Sequence, residues 1–143
     1  MNTPQNPTPQ QLLAALTLSW GPDTVRKGDD WQEGVPSLNQ CVPTALVVHD
    51  YFGGSICRAP MVIQFKRGFH YWNAFTAQGT LDFTGGQFVF LREWPDYKQM
   101  DVRDRGILLA NVHVAQRYLI LSIRVGVWLR WLCQDEPPRR VYK

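Results

Sequence analysis

The segment Pro36-Ser-Leu-Asn39-Gln40-Cys41-Val42-Pro43-Thr-Ala-Leu-Val-Val-His49-Asp50-Tyr-Phe52-Gly53-Gly54 carries the reading of the whole chain. Apolar residues at 42, 45, 46, 48, 51 and 52 recur at helical spacing, and Gly53-Gly54 supplies the stop. Pro43 is tolerated in a first helical turn, because the N–H it lacks would have had no helical partner there. The spacing therefore predicts a helix over Val42 to Phe52, with Cys41 at its N-terminal edge. Unpaired backbone N–H groups and the positive end of the helix dipole favour a thiolate at that edge. A free cysteine is more often a small buried hydrophobe, so the chemical reading requires a base within reach.

Three histidines compete for that role. His49 lies eight residues along the same helix, about 12 Å from Cys41 at ~1.5 Å per residue, which excludes it. His113 falls among Val112, Val114 and Ala115 in a helical region and is held in reserve as a core or helix-face residue. His70 opens the β-prone stretch Phe69-His70-Tyr71-Trp72-Asn73, and a strand beside the nucleophile's helix can supply a base. Phe69 to Phe75 and Thr80 to Thr84 read as a hairpin joined through Thr76-Ala77-Gln78-Gly79. Two registers are open. A loop of residues 76–78 pairs Phe75 with Gly79, sets Trp72 opposite Asp82 and leaves His70 on the same face as Asp82. A four-residue loop pairs Asn73 with Asp82 and sends the carboxylate to the other face. Asn73, Asp50 and Asp101 are the fallback groups for orienting the imidazole.

Outward from these motifs, residues 1–8 read as a flexible tail and Pro9 to Trp20 as a helix stopped by Gly21-Pro22. Thr24 to Leu38 is a long polar connection, of the length that often serves function. Ser55 to Phe65 reads as an irregular or edge strand because Pro60 lies inside it. Gln87 to Leu91 reads as a further extended piece, and Trp94-Pro95-Asp96 as a turn. From about Asp104 to Cys133 the residues favour helix, with a break expected near Gly126. Residues 9–136 are expected to form one domain, followed by a basic tail over 137–143.

The chain has 143 residues, enough for one core, and 45% hydrophobic content with 19% charged residues excludes bulk disorder. A net charge of +3 with scattered basic residues offers no stripe for tracking phosphates, so nucleic acid is not an expected partner. The apolar region from Ile107 to Cys133 is interrupted by Arg117, Arg124 and Arg130, which argues against a membrane span. Three cysteines with no close spacing and no recognisable signal segment point to a reducing cytoplasm. A zinc site of Cys41, Cys57, His70 and Cys133 is a third option that the spacing supports poorly, and no cofactor is expected.

Taken in order, Pro36 to Gly54, His70-Tyr71-Trp72-Asn73, and Leu81-Asp82-Phe83-Thr84 followed by Gln87-Phe88 resemble the YunG family of small bacterial proteins. The likeness runs from Trp31 to Phe88, about half of the chain. It implies an α+β fold with a papain-like core of the NlpC or transglutaminase type, in which N-terminal helices pack on a small antiparallel sheet and the C-terminal region is helical. In such folds a cysteine opens a helix while His and Asp follow on neighbouring strands, here Cys41, His70 and Asp82. The family has no settled activity, so no substrate is named. Asn39 stands where Gly is expected and Pro43 where an ordinary residue is usual; either could narrow the cleft. Gln40 and the Cys41 N–H match the neighbourhood of an oxyanion site.

Two functions follow. The first is a cysteine hydrolase or acyl transferase acting on an amide or ester of an unknown peptide, protein or small molecule. The second is a non-catalytic interaction protein with a groove lined by Trp31, Tyr71, Trp72 and Trp94. Arg117 and Arg124, seven residues apart on one helical face, mark either a partner surface or a solvated ridge. Oligomeric state is left open.

Overall fold

Alternation along two paired strands sets the architecture. In the computed structural model, which describes residues 6–134 except 64, 77 and 78, β1 (Ser55–Ile63) pairs antiparallel with β2 (Lys66–Phe75) along its full length. β3 (Gly79–Leu81) and β4 (Asp101–Arg103) complete a four-stranded sheet in the order β3-β2-β1-β4. One sheet face carries Ile56 and Tyr71, which pack on Ala45 and Leu46 of α2 (Cys41–Phe52). The opposite face carries Cys57, Ala59 and Trp72 as one cluster, with His70 paired to Ala59. Over that face lie α3 (Gln87–Leu91) and a 3-10 turn (Tyr97–Gln99), through Phe88 against His70 and Tyr97 against Trp72. The molecule is therefore α+β, with helices on a small antiparallel sheet.

The main core lies between helices. α1 (Pro9–Ser19) places Leu12, Ala15 and Leu16 against Val47 and Val48 of α2 and against Leu121, Val125 and Leu129 of α5 (Val112–Leu132). Each fully buried leucine here contributes roughly 1.5–3 kcal/mol. The outer side of α5 leaves Leu119, Ile123 and Trp131 exposed, so this helix is core on one side and bare on the other. Trp20 Nε1 donates to Thr44 Oγ1 at 2.9 Å and Asn73 Nδ2 to the Ala45 carbonyl at 2.9 Å, tying α1 and β2 to α2. None of the described helices is long and apolar enough to cross a membrane.

Several expectations are corrected by these contacts. Pro7 is buried and Thr8 forms a reciprocal capping box with Gln11, so the ordered chain begins within the expected tail. Residues 1–5 and the tail 137–143 lie outside the described residues. β1 is an interior strand where Ile56 to Arg58 pair with β4. Pro60 sits beyond that pairing, where its missing N–H breaks no ladder. Gln87 to Leu91 is helical rather than extended, because the turn through Thr84 to Gly86 runs straight into it and buries the adjacent Gln87 and Phe88 together, which strand alternation forbids. The break in the C-terminal region falls at Asn111, between α4 (Arg105–Ala110) and α5, where the Asn111 side chain accepts from the N–H groups of His113 and Val114. Gly126 lies buried within α5.

Gly54 is required where α2 turns into β1. Its φ is 76°, and a Cβ there would meet the Ala74 carbonyl oxygen at 2.5 Å.

Candidate thiol site

Cys41 is the first residue of α2, as the position of Pro43 requires. Gln40 precedes it without a side-chain cap, and no acceptor for the N–H of Cys41 or Val42 is found among the described residues. The Cys41 sulfur is 3.9 Å from the carbonyl oxygen of Phe69, which places it beside the strand position that carries His70. Asn39, just before this point, has a φ of 60°. That left-handed conformation explains why Gly suits the position, and asparagine is among the few side chains that adopt it readily.

The hairpin adopts the first of the two registers. Phe75 pairs with Gly79, Ala74 with Thr80 and Asn73 with Leu81, so Asp82 follows on the face of His70. His70 Nε2 lies 2.6 Å from Asp82 Oδ2, while Thr84 donates to Asp82 Oδ1 at 3.3 Å. The imidazole is 1% exposed, stacked on Trp72 at 5.9 Å and met edge-on by Phe88 at 4.5 Å. Such burial alone disfavours the imidazolium, but hydrogen bonds and charge from Asp82 and Cys41 outweigh it and raise its pKa from 6.5 to about 9. With Nε2 held by Asp82, Nδ1 is the nitrogen left to meet the thiol.

The other candidates are spent elsewhere. Asn73 binds α2, Asp101 pairs with Arg58 at 2.8 Å, and Asp50 pairs with Arg105 at 2.6 Å. His49 Nδ1 also meets Arg105, at 3.1 Å. Cys57 is buried in its apolar cluster, and that burial raises its thiol pKa. No three metal-ligating side chains converge among the described residues, and the set Cys41, Cys57, His70 and Cys133 is not brought together. Arg124 binds Asp23 and the Ser19 carbonyl, whereas Arg117 faces the cleft, so the two do not form one surface.

The cleft that holds Cys41 and His70 has a volume of about 920 Å³ and is walled by the loop after α1, the start of β2 and the N-terminal turns of α5. Of the four aromatic residues expected in a groove, only Tyr71 lines it; Trp72 is buried, and Trp31 donates to the Pro36 carbonyl. Gln40 does not line it either. Its amide is wholly buried, donating to the Gly21 carbonyl at 2.9 Å and accepting from Thr24 at 2.7 Å, so it clamps the loop.

Gln87 lines the cleft, as does Gln116 of α5, and nothing in its sequence context assigns it a role. It is 2% exposed, and its Oε1 accepts from the Asn39 N–H at 3.1 Å. A backbone donor fixes which branch of the amide is oxygen, so the NH2 occupies the other branch, for which no acceptor is found among the described residues. The signal was present in the Gln87-Phe88 pair, but an extended reading of that segment gave it no direction.

The fold and site define an α+β domain in which a helix-opening cysteine meets a buried histidine held by a half-buried aspartate. The chain matches the family described as YunG protein over residues 8–129 and belongs to that family. It is similar to a protein of Bacillus subtilis (strain 168) named "Uncharacterized protein YunG", with 36% identity over 73 residues. That match covers 51% of this chain and 56% of the relative. No solved structure matches the chain.

Proposed function

We propose that the protein is a cysteine hydrolase or acyl transferase with a papain-like arrangement of Cys41, His70 and Asp82, acting on an amide or ester in a cytoplasmic setting. The observation that carries this reading is the 2.6 Å His70–Asp82 pair, its imidazole buried, beside a cysteine at a helix start. A histidine that holds its proton to about 9 is an imidazolium at neutral pH, the partner that stabilises a thiolate.

The thiolate sulfur attacks the carbonyl carbon, and the π electrons move to oxygen. The Gln87 NH2 and the Cys41 N–H are the proposed donors to that oxyanion, in place of Gln40. Collapse expels the amine or alcohol, which takes the proton from His70 Nδ1 and leaves a thioester. Neutral His70 then removes a proton from water or an acceptor amine as it attacks, and the C–S bond breaks to restore the thiolate. Asp82 keeps the ring oriented and balances its charge through both halves of the cycle.

Incubation with p-nitrophenyl acetate, followed by intact-protein and peptide mass spectrometry, tests this. An acetyl adduct on Cys41, absent from Cys41→Ala and accumulating faster than in His70→Ala, is expected. A wild-type Cys41 that acquires no acetyl group would contradict the reading and favour a binding domain that keeps the fold.

A further inference from the structure

The reaction chemistry leaves unused a group of basic side chains that the fold collects at the cleft. Arg26 and Lys27 come from the loop after α1, Arg67 from β2, and His113 and Arg117 from successive turns of α5. These residues are far apart in sequence, so no basic run announces them. Among the described residues, the one carboxylate in the same lining is Asp29, which bonds Arg26 at 3.3 Å. Arg117 has no hydrogen bond or ion pair among the described residues, although it is half-buried. Its proton affinity is lowered first by that burial and then by repulsion from Arg26, while Asp29 and the Cys41 thiol act in the opposite sense. Arg117 is therefore within electrostatic reach of the sulfur. A partly desolvated guanidinium facing other cations costs free energy until an anion arrives. Its planar fork matches the two oxygens of a carboxylate, and Lys27 and Arg67 add an attractive field around it. The cations line a concavity rather than a ridge, which suits a small anionic group better than a polymer of phosphates.

We propose that the cleft selects an acyl compound bearing a carboxylate, which Arg117 receives while Cys41 attacks the amide or ester carbonyl. This rests on the thiol reading above. Iodoacetate and iodoacetamide separate the two, because they deliver the same carbon to the same sulfur and differ in one charge. Their alkylation rates at Cys41, taken as a ratio, cancel any change in the nucleophile itself. In Arg117→Gln the iodoacetate-to-iodoacetamide ratio is expected to fall about tenfold, the effect of one charge-assisted hydrogen bond. Arg117→Lys should fall between, and about 0.5 M salt should compress the difference. A ratio that Arg117→Gln leaves where it was would overturn the proposal with the thiol reading intact. If neither reagent labels Cys41, the thiol reading fails, and anion selection is then read by binding. N-acetylglycine is expected to shift the His113 ring resonances in wild type and several-fold less in Arg117→Gln, with N-acetylglycinamide weak in both. Equal shifts from the acid and the amide in wild type would sink the proposal on that arm.

Discussion

The two ends of α2 hold similar chemical groups and put them to opposite use. At the C-terminal end, His49 and Asp50 meet Arg105, which also donates to the Leu46 carbonyl at 3.0 Å and to the Tyr118 hydroxyl at 2.9 Å. That cluster is saturated: a cation, a carboxylate, an imidazole and a hydroxyl satisfy one another and fasten α4 and α5 to the helix. At the N-terminal end, His70 and Asp82 form an equally close pair, but Cys41 and the first N–H groups of α2 open onto a cleft. A histidine beside a carboxylate does not mark a reactive site by itself. What distinguishes the two ends is whether a thiol and unpaired donors remain once the internal bonds are counted.

The pair at the cleft should give the largest effect. Folded His70 holds its proton to about 9, whereas an unfolded histidine releases it near 6.5, so the folded state binds more protons between those values. Its contribution to stability is thus complete below about 6.5 and is lost as pH rises toward 9, on the order of 3 kcal/mol. Denaturant titrations across that window should show the decline in wild type. Asp82→Asn should flatten it, with the His70 pKa seen by NMR falling to 6.5 or below, because burial then acts with little opposition. A His70 pKa still near 9 in Asp82→Asn would refute the assignment of its partner.

At the saturated end, Arg105→Met should cost about 2 kcal/mol, because the Leu46 carbonyl and His49 lose the guanidinium while Asp50 keeps the Tyr118 hydroxyl as its donor. The same variant should alter Cys41 alkylation by less than about twofold, since its contacts lie at the far end of the helix. Next in size is Gln40→Ala, expected to lose about 1–2 kcal/mol in chemical denaturation as its two buried bonds go, while Gly21 and Thr24 still bond each other. Gln87→Ala should instead show its main loss in thioester formation. The reverse pattern would restore Gln40 to the oxyanion role. The smallest effect is at Asn39: Asn39→Gly should change stability by under about 1 kcal/mol, while Asn39→Ala loses about 1 kcal/mol, because alanine resists a left-handed backbone.

Local signals made one part of this site readable from sequence. Pro43 and Gly53-Gly54 bounded α2 and so placed Cys41, and strand alternation left only two hairpin registers, one of which set Asp82 beside His70. The observed pairing of Phe75 with Gly79 is that register. What escaped reading depends on contacts between distant segments. β4 is three residues long and exists through Ile56 to Arg58 and the Arg58–Asp101 pair, so its own residues carry little periodicity. Phe88, Val89 and Phe90 are strand formers and favour an extended α3 segment, yet the preceding turn and the burial of Gln87 and Phe88 decide the outcome. Gln40 and Gln87 look alike in sequence; only their partners, Thr24 and Gly21 for one and Asn39 for the other, distinguish a clamp from a cleft donor.

The most direct measurement is the rate of Cys41 alkylation by iodoacetamide between pH 5 and 10, in wild type and in His70→Ala. Wild type should react about tenfold faster or more at the acid end, with the two rates converging as alkali ionises the thiol without help. Superimposable profiles, or a Cys41 inert in both proteins, would contradict the claim that the fold builds a poised thiol.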